Sequence, residues 1–294
     1  MNENRLIKML VGGPPLLFML ALFAVPSIIM VLASFRYPGE YGGLAPLTSA
    51  DPKALHGLTL ETYRFFFSDF IYTEVFIKSI AMALLTTLSC LILAYPLALL
   101  IAKSPKKRRD TMVLLVILPF ASNFLIRVYA WMIVLGPQSA LSEMLNAALH
   151  WFNIAPVHLL FSPFAVLIAM VYAHLPFMVL PLYTNLVRHD PLLLDAAEDL
   201  GANAWQRFWK VTFPLSLPGV YSGSALVFIP ALGMFVIPEI LGGTGDMLIG
   251  NLIKEQFLVT RDWPFGSTLA IMLTLAVMLI AWLAGRMVRG RRYA

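Results

Sequence analysis

Residues 151–187 read WFNIAPVHLLFSPFAVLIAMVYAHLPFMVLPLYTNLV, thirty-seven positions without one Asp, Glu, Lys or Arg. A helix crossing the roughly 30 Å hydrocarbon layer needs about 20 apolar residues, so this run holds a membrane span. Working outward, uncharged runs recur at 9–35, 79–102, 111–126, 211–238 and 263–285, and with the first they fill more than half of the 294 residues. The third is long enough only if Arg127 is tolerated within it. Composition agrees: 60% of the chain is hydrophobic, 13% is charged, and the mean hydropathy is +0.80, which no soluble core can hide. The reading is an all-α membrane protein of six transmembrane helices in one domain over 1–294, with spans at 10–34, 77–102, 111–135, 162–187, 213–241 and 265–287.

The charges orient the spans. With the amino terminus in the cytoplasm, the inner segments carry fourteen Lys and Arg and the outer segments six, among them Arg36, Lys53, Arg64, Lys78, Lys254 and Arg261. That asymmetry follows the positive-inside rule, with both termini cytoplasmic. Arg5 and Lys8 before the first run also suit a signal peptide, but its 27 uncharged residues exceed a signal core of about 7–15, so the span is retained. The outer loops are then 36–75, broken by Pro38, Gly39, Pro46 and Pro52 before an interfacial helix over 60–70; 136–160, with an amphipathic stretch at 141–152; and 242–264, carrying Asp246, Glu255 and Asp262.

Several chemistries fail on spacing. Lys78 and Lys103 precede Ser but follow Ile77 and Ala102, so neither completes a phosphate-cradling GxxxxGK[ST]. The five His residues never fall at metal-ligand spacings, and no GxSxG marks a serine hydrolase. His174 alone lies deep in a span, where a helix-to-helix hydrogen bond and a proton relay are both open readings. Cys90, the single cysteine, reads as a small packing residue. No basic stripe interleaved with aromatics suggests nucleic acid.

The inner loop between the fourth and fifth spans is the most specific stretch: Asp190-Pro191-Leu192-Leu193-Leu194-Asp195-Ala196-Ala197-Glu198-Asp199-Leu200-Gly201. Asp190 suits an N-cap, Pro191 the first helical position, and Gly201 a left-handed terminator. A short helix over 191–201 results, with small residues at its centre and carboxylates at its edge. Such a helix can enter a partner's groove or merely join two spans.

Asp195-Ala196-Ala197, three residues, Gly201, nine residues, then Val211-Thr212-Phe213-Pro214 resembles the EAA loop of membrane subunits of binding-protein-dependent ABC importers. The family form is EAA, three, G, nine, I-x-LP; here Asp195 stands for Glu, Val211 for Ile and Phe213 for Leu. Phe124 to Trp131, Phe177-Met178-Val179-Leu180-Pro181, Phe235-Val236-Ile237-Pro238-Glu239 and Arg261-Asp262-Trp263-Pro264 are similar to runs in spermidine and putrescine importer permeases, although Met234 replaces an acidic residue before Phe235. The resemblance implies a type I ABC importer permease in a bacterial inner membrane. It makes and breaks no bond itself and binds no cofactor. ATP and Mg sit on two partner ATPase subunits, and a second permease subunit, a paralogue, completes the passage. A periplasmic substrate-binding protein delivers the solute, most closely a polyamine. The coupling residues implied are Asp195, Ala196, Ala197, Glu198, Gly201 and Pro214. An ion-gradient-driven secondary transporter is the alternative; it would favour paired intramembrane carboxylates or inverted repeats.

The pathway candidates are Asn123, Arg127, Tyr172, Tyr183, Ser222, Met234 and Glu239. Arg127 falls about 24 Å along its span at 1.5 Å per residue, near the outer interface, where it either snorkels to headgroups or orders Asn123 one turn away. Glu239, near the outer mouth, attracts an organic cation or caps its span. Tyr172, Tyr183 and Asn185 sit on span four. Ser222 belongs to a fifth span loosened by Gly223, Pro230, Gly233 and Pro238.

Overall fold

The computed structural model describes residues 3–48, 57–151 and 155–290. Pro52, Lys53, Phe152, Arg291 and Arg292 lie outside them, and the side chains of Arg5, Lys8 and Arg289 are not described either. The elements are α1 (Glu3–Ser34), α2 (Glu61–Ser68), α3 (Phe70–Lys103), α4 (Lys106–Ile117), a 3-10 turn (Leu118–Ala121), α5 (Phe124–Val134), α6 (Ala140–Trp151) and α7 (Pro163–Leu186). There follow α8 (Leu192–Asp199), α9 (Ala204–Arg207), a π-helical turn (Phe208–Thr212), α10 (Phe213–Leu232), α11 (Val236–Leu241), α12 (Ile249–Leu258) and α13 (Trp263–Gly290). Among the described residues, five stretches are long and apolar enough to cross a membrane: Gly12–Ser34, Phe70–Lys103, Pro163–Leu186, Ala204–Leu232 and Trp263–Leu283.

The stretch expected as one span over 111–135 falls on two helical pieces, Lys106–Ala121 and Phe124–Val134, bent by 91°, which make a sixth candidate span if taken together. Pro119 cannot donate a backbone N–H, Ser122 is extended at ψ 154°, and Asn123 restarts the helix by accepting from the Leu125 N–H at 2.8 Å. The stretch expected over 213–241 is also interrupted. α10 stops at Leu232, and residues 233–235 run irregularly before α11. A Cβ on Gly250 would come within 2.7 Å of the Gly233 carbonyl oxygen and 2.9 Å of that of Met234, and the Asn251 amide donates to the Phe235 oxygen at 2.9 Å. The carbonyls freed by the break therefore face backbone that only glycine lets approach, and one of them gains a side-chain donor.

The chain divides into two compact units. In the first, residues 1–73 and 252–294, α1 packs along α13 and α2 lies on α13. A chain of buried hydroxyls holds the join: Tyr63 to Ser34 at 2.8 Å, Thr62 to the Ser34 carbonyl at 2.9 Å, and Thr268 to Thr62 at 3.0 Å. Phe265 meets Phe65 and Tyr72 edge-on at 5.3 and 4.9 Å. The rest of α1 leaves its apolar side chains largely uncovered within the chain, only 6% of its most apolar stretch being buried.

The second unit, residues 74–251, is built around α7, whose window is 56% buried. α7 pairs most extensively with α10, and the small residues of both helices explain the closeness. A Cβ on Gly219 would lie 2.8 Å from Asn185 Cβ, and one on Gly223 would lie 2.7 Å from Met178 Sδ. Cys90, Ala94 and Ala98 of α3 pack with Met178, Leu182 and Val227 in the central apolar cluster. Cys90 is fully buried, so its reading as a packing residue matches its position. Tyr95 and Ser216 hydrogen-bond at 2.8 Å within this cluster, which satisfies both hydroxyls in a medium that offers no water.

Candidate functional site

The segment expected as a helix over 191–201 folds as α8, and its ends obey the capping logic of its sequence. Asp190 Oδ1 accepts from the Leu192 N–H at 3.0 Å. Gly201 takes φ +81°, its N–H donates to the Glu198 carbonyl at 2.8 Å, and the Ala202 N–H donates to the Ala197 carbonyl at 3.0 Å. Those two bonds form a Schellman stop, which needs the left-handed backbone that glycine adopts without strain. Asn203 and Gln206 cap α9 reciprocally at 2.9 and 3.1 Å. Glu198 pairs with Arg207, joining α8 to α9.

This hairpin of short helices presents an unusual surface. Asp195, Ala196, Glu198 and Gly201 are exposed and Ala197 is half-buried, while Leu200 and Trp205 are 88% and 70% exposed. A Cβ on Gly201 would meet nothing within 4 Å. Large exposed apolar groups beside exposed carboxylates are a surface of the kind that suits an interface.

Behind the turn, Phe208–Thr212 is π-helical and runs straight into α10, where Pro214 sits in the first turn. An aromatic cluster anchors it: Trp205 on Trp209 at 5.6 Å, Trp209 on Phe213 at 5.1 Å, and Phe208 edge-on to Tyr95 of α3 at 5.5 Å. α9 and the π turn are thereby packed on α10 and α3. The π turn has no clear signal in the sequence beyond the density of aromatic residues at 205, 208, 209 and 213.

The pathway candidates do not form one cluster. Arg127 is drawn between α5, α7 and α11, in a small cavity lined by Phe124, Trp131, Tyr172 and Ile237. Its guanidinium lies over Phe120 at 4.7 Å and Phe124 at 5.7 Å, and its Nε and Nη1 are buried without an acceptor. Within the chain, aromatic faces hold the cation, and Asn123 gives its side-chain oxygen to the cap of α5. Tyr172 meets Trp131 at 5.5 Å on the same wall. Tyr183 packs on the central apolar cluster, and Ser222 donates to the Pro218 and Gly219 carbonyls of its own helix at 2.9 and 3.1 Å; neither lines this cavity. Met234 lies in the break between α10 and α11, and Glu239 is exposed on α11. His174, 2% exposed, bonds the Met170 carbonyl one turn back at 2.8 Å, so that contact stays within its own helix. Among the described residues no group of three or more His, Cys, Asp or Glu can hold a metal. Phe120, the main support of Arg127, was missed by sequence reasoning because the bend that brings it there is not periodic.

The family model of the binding-protein-dependent transport system inner membrane component matches residues 94–293. The spermidine/putrescine transport system permease protein PotB of Salmonella typhimurium strain SL1344 is 45% identical over 224 residues, spanning 74% of this chain and 77% of that one. The PotB of Escherichia coli K12 is 44% identical over 224 residues, spanning 74% and 80%. A chain in the crystal structure of a bacterial alginate ABC transporter, in complex with an alginate pentasaccharide-bound periplasmic protein, superposes with a TM-score of 0.71 at 18% identity, covering 97% of this chain and 93% of that one. At that identity the likeness is one of fold, the fold of a type I ABC importer permease.

Proposed function

This chain belongs to the family of binding-protein-dependent transport system inner membrane components, and from that premise we propose that it forms part of a passage for spermidine or putrescine across a bacterial inner membrane. The observation that carries the solute class is the identity with spermidine/putrescine permeases over most of both chains. A second permease subunit, a paralogue of this one, supplies the other half of the passage. Two ATPase subunits outside the membrane bind ATP and Mg, and a periplasmic binding protein delivers the amine. Both termini lie in the cytoplasm, which puts the α8–α9 turn on the ATPase side.

Coupling runs through the turn. Asp195, Ala196, Ala197, Glu198 and Gly201 form the docking surface, where the small side chains admit close approach and the carboxylates set the register. Closure of the ATPase pair on ATP displaces α8, the aromatic cluster carries that displacement into α10 at Pro214, and the spans open outward. Hydrolysis resets them inward. The breaks before α5 and α11 are supporting observations for a passage, because irregular backbone at membrane depth is tolerated where it lines a cavity or is buried in protein. Along the route, Tyr172 and Trp131 offer π faces to an organic cation, Glu239 offers charge, and Met234 gives a stretch that does not trap a polycation.

The direct test is to co-express the chain with its neighbouring genes, purify the tagged complex, reconstitute it with the binding protein, and follow labelled spermidine. Uptake that requires ATP and a co-purified ATPase is the expected result. A chain that purifies alone and moves solute under an ion gradient overturns the proposal in favour of a secondary transporter.

Arg127→Met separates a pathway role from a structural one. The substitution removes a cation whose Nε and Nη1 have no acceptor and keeps its volume, so stability is expected to hold or rise by up to about 2 kcal/mol. Spermidine uptake is expected to fall while ATPase activity persists. A thermal melt in detergent checks the first expectation and vesicle uptake the second; lost stability with normal uptake per folded molecule assigns Arg127 to structure alone.

A further inference from the structure

A cavity of about 350 Å³ lies in the second unit, at the end of α3, the start of α4, the end of α7 and the base of α8. Its chemistry is mixed. Lys103, Arg109 and His189 line it together with leucines that include Leu99 and Leu215. Arg109 donates through Nη2 to the Ala102 and Ser104 carbonyls at 3.3 and 3.2 Å, which pins the guanidinium at the end of α3, and its Nε is buried without an acceptor. None of the ion pairs among the described residues engages Lys103 or Arg109. The carboxylate at the rim, Asp190, is occupied in capping α8, and His189 is bonded to Asn185 at 3.2 Å. Three further cations, Lys106, Lys107 and Arg108, are exposed at the start of α4, as is the Asp110 carboxylate.

Two cations outside any ion pair, in a cavity otherwise lined largely by apolar side chains, fit an amphiphile with an anionic head. Basic pockets between transmembrane helices at the membrane surface bind anionic lipid headgroups for this reason. Leu215 is 40% exposed and Leu100, just outside the wall, is 53% exposed, so acyl chains leaving the cavity meet apolar surface rather than water. We propose that an anionic phospholipid, through its headgroup phosphate, occupies this cavity on Lys103 and Arg109 and braces the base of α8 against α3 and α7. The lipid thereby sets how stiffly the coupling turn is held. This goes beyond the transport reading and does not depend on the identity of the solute.

The test uses the purified complex with its ATPase in nanodiscs of phosphatidylethanolamine containing stepped amounts of phosphatidylglycerol. Native mass spectrometry counts the phosphatidylglycerol retained, and ATPase activity is measured alongside. Lys103→Gln with Arg109→Gln is expected to lower retention by about fivefold per charge removed and to flatten the dependence of ATPase activity on phosphatidylglycerol. Lys103→Arg with Arg109→Lys, which keeps both charges, is expected to restore both, and so separates loss of charge from loss of folding. Retention unchanged in the Gln pair overturns the proposal. So does displacement of the lipid by millimolar inorganic phosphate, which marks a site for soluble anions. Loss of the ATPase subunit from the Gln pair with its lipid still bound overturns it as well, since the cations then serve subunit docking.

Discussion

Gly201→Leu is expected to abolish ATP-driven uptake, by about a hundredfold or more, while the chain still inserts, folds and survives purification. Two effects act together. Gly201 sits at φ +81°, where a side chain with a Cβ costs about 1–2 kcal/mol, so leucine drives the backbone out of the left-handed region and redirects α9 relative to α8. The space about the residue is open within this chain, so on the proposed docking the leucine projects into the ATPase groove, where overpacking costs about 1–3 kcal/mol more. At 1.4 kcal/mol per decade the sum, about 2–5 kcal/mol, corresponds to roughly 30-fold to several thousandfold, with a hundredfold inside that span. Gly201→Asn divides the two effects, because asparagine tolerates this backbone while still adding a side chain. Uptake and ATPase stimulation measured on the same vesicles decide the matter. A Leu variant that transports normally removes the docking role of α8, and an Asn variant as damaged as Leu assigns the effect to steric contact rather than to the direction of the chain.

The spans that are straight were legible because composition alone specifies them: an uncharged run such as 163–186 has no other stable state in a bilayer. The capping of α8 was legible too, since Asp190, Pro191 and Gly201 each satisfy a local demand that neighbouring packing does not alter. The breaks were not. Pro119 appears as an ordinary interior proline in an apolar run, and proline also lies inside α3 at Pro96 and α7 at Pro176 without ending either helix. What ends the helix after Ala121 is the conjunction of Pro119 with an extended Ser122 and the cap at Asn123. Gly233 is similar: its effect depends on Gly250, seventeen residues away, admitting backbone against backbone. The ring contacts of Arg127 were not legible either, because a straight helix does not bring Phe120 to it and a 91° bend does. A demand that one residue meets by itself survives reading from sequence; a feature made by several residues in conjunction, near or distant, does not.

The largest effect on stability is expected from filling the seam between α7 and α10. Association of helices in a bilayer gains little from excluding water, so it depends on close packing, and here two glycines on successive turns of α10 supply it. Leucine at Gly223 meets Met178 Sδ at 2.7 Å from its Cβ alone, and the thioether can swing aside. The Met178 carbonyl oxygen at 3.2 Å and Cα at 3.4 Å cannot, so the helices must separate. Gly219 faces Asn185 Cβ at 2.8 Å and the Pro181 carbonyl at 3.2 Å, again partly backbone. Separation opens the cluster of Met178, Leu182, Val220 and Val227 and pulls Ser216 from Tyr95. Gly223→Leu is therefore expected to cost about 3 kcal/mol and to lower the melting temperature of the complex in detergent by about 6–12 °C, with the Gly219→Leu variant similar. Gly285→Ala, in an exposed turn of α13 with nothing within 4 Å, provides the contrast: alanine there is neutral or stabilising by up to about 1 kcal/mol. A Gly223→Leu complex that melts with the wild type means that α10 can slide along α7 without loss. In that case the seam is a sliding surface, and the motion proposed to pass from α8 into α10 has its bearing at this interface.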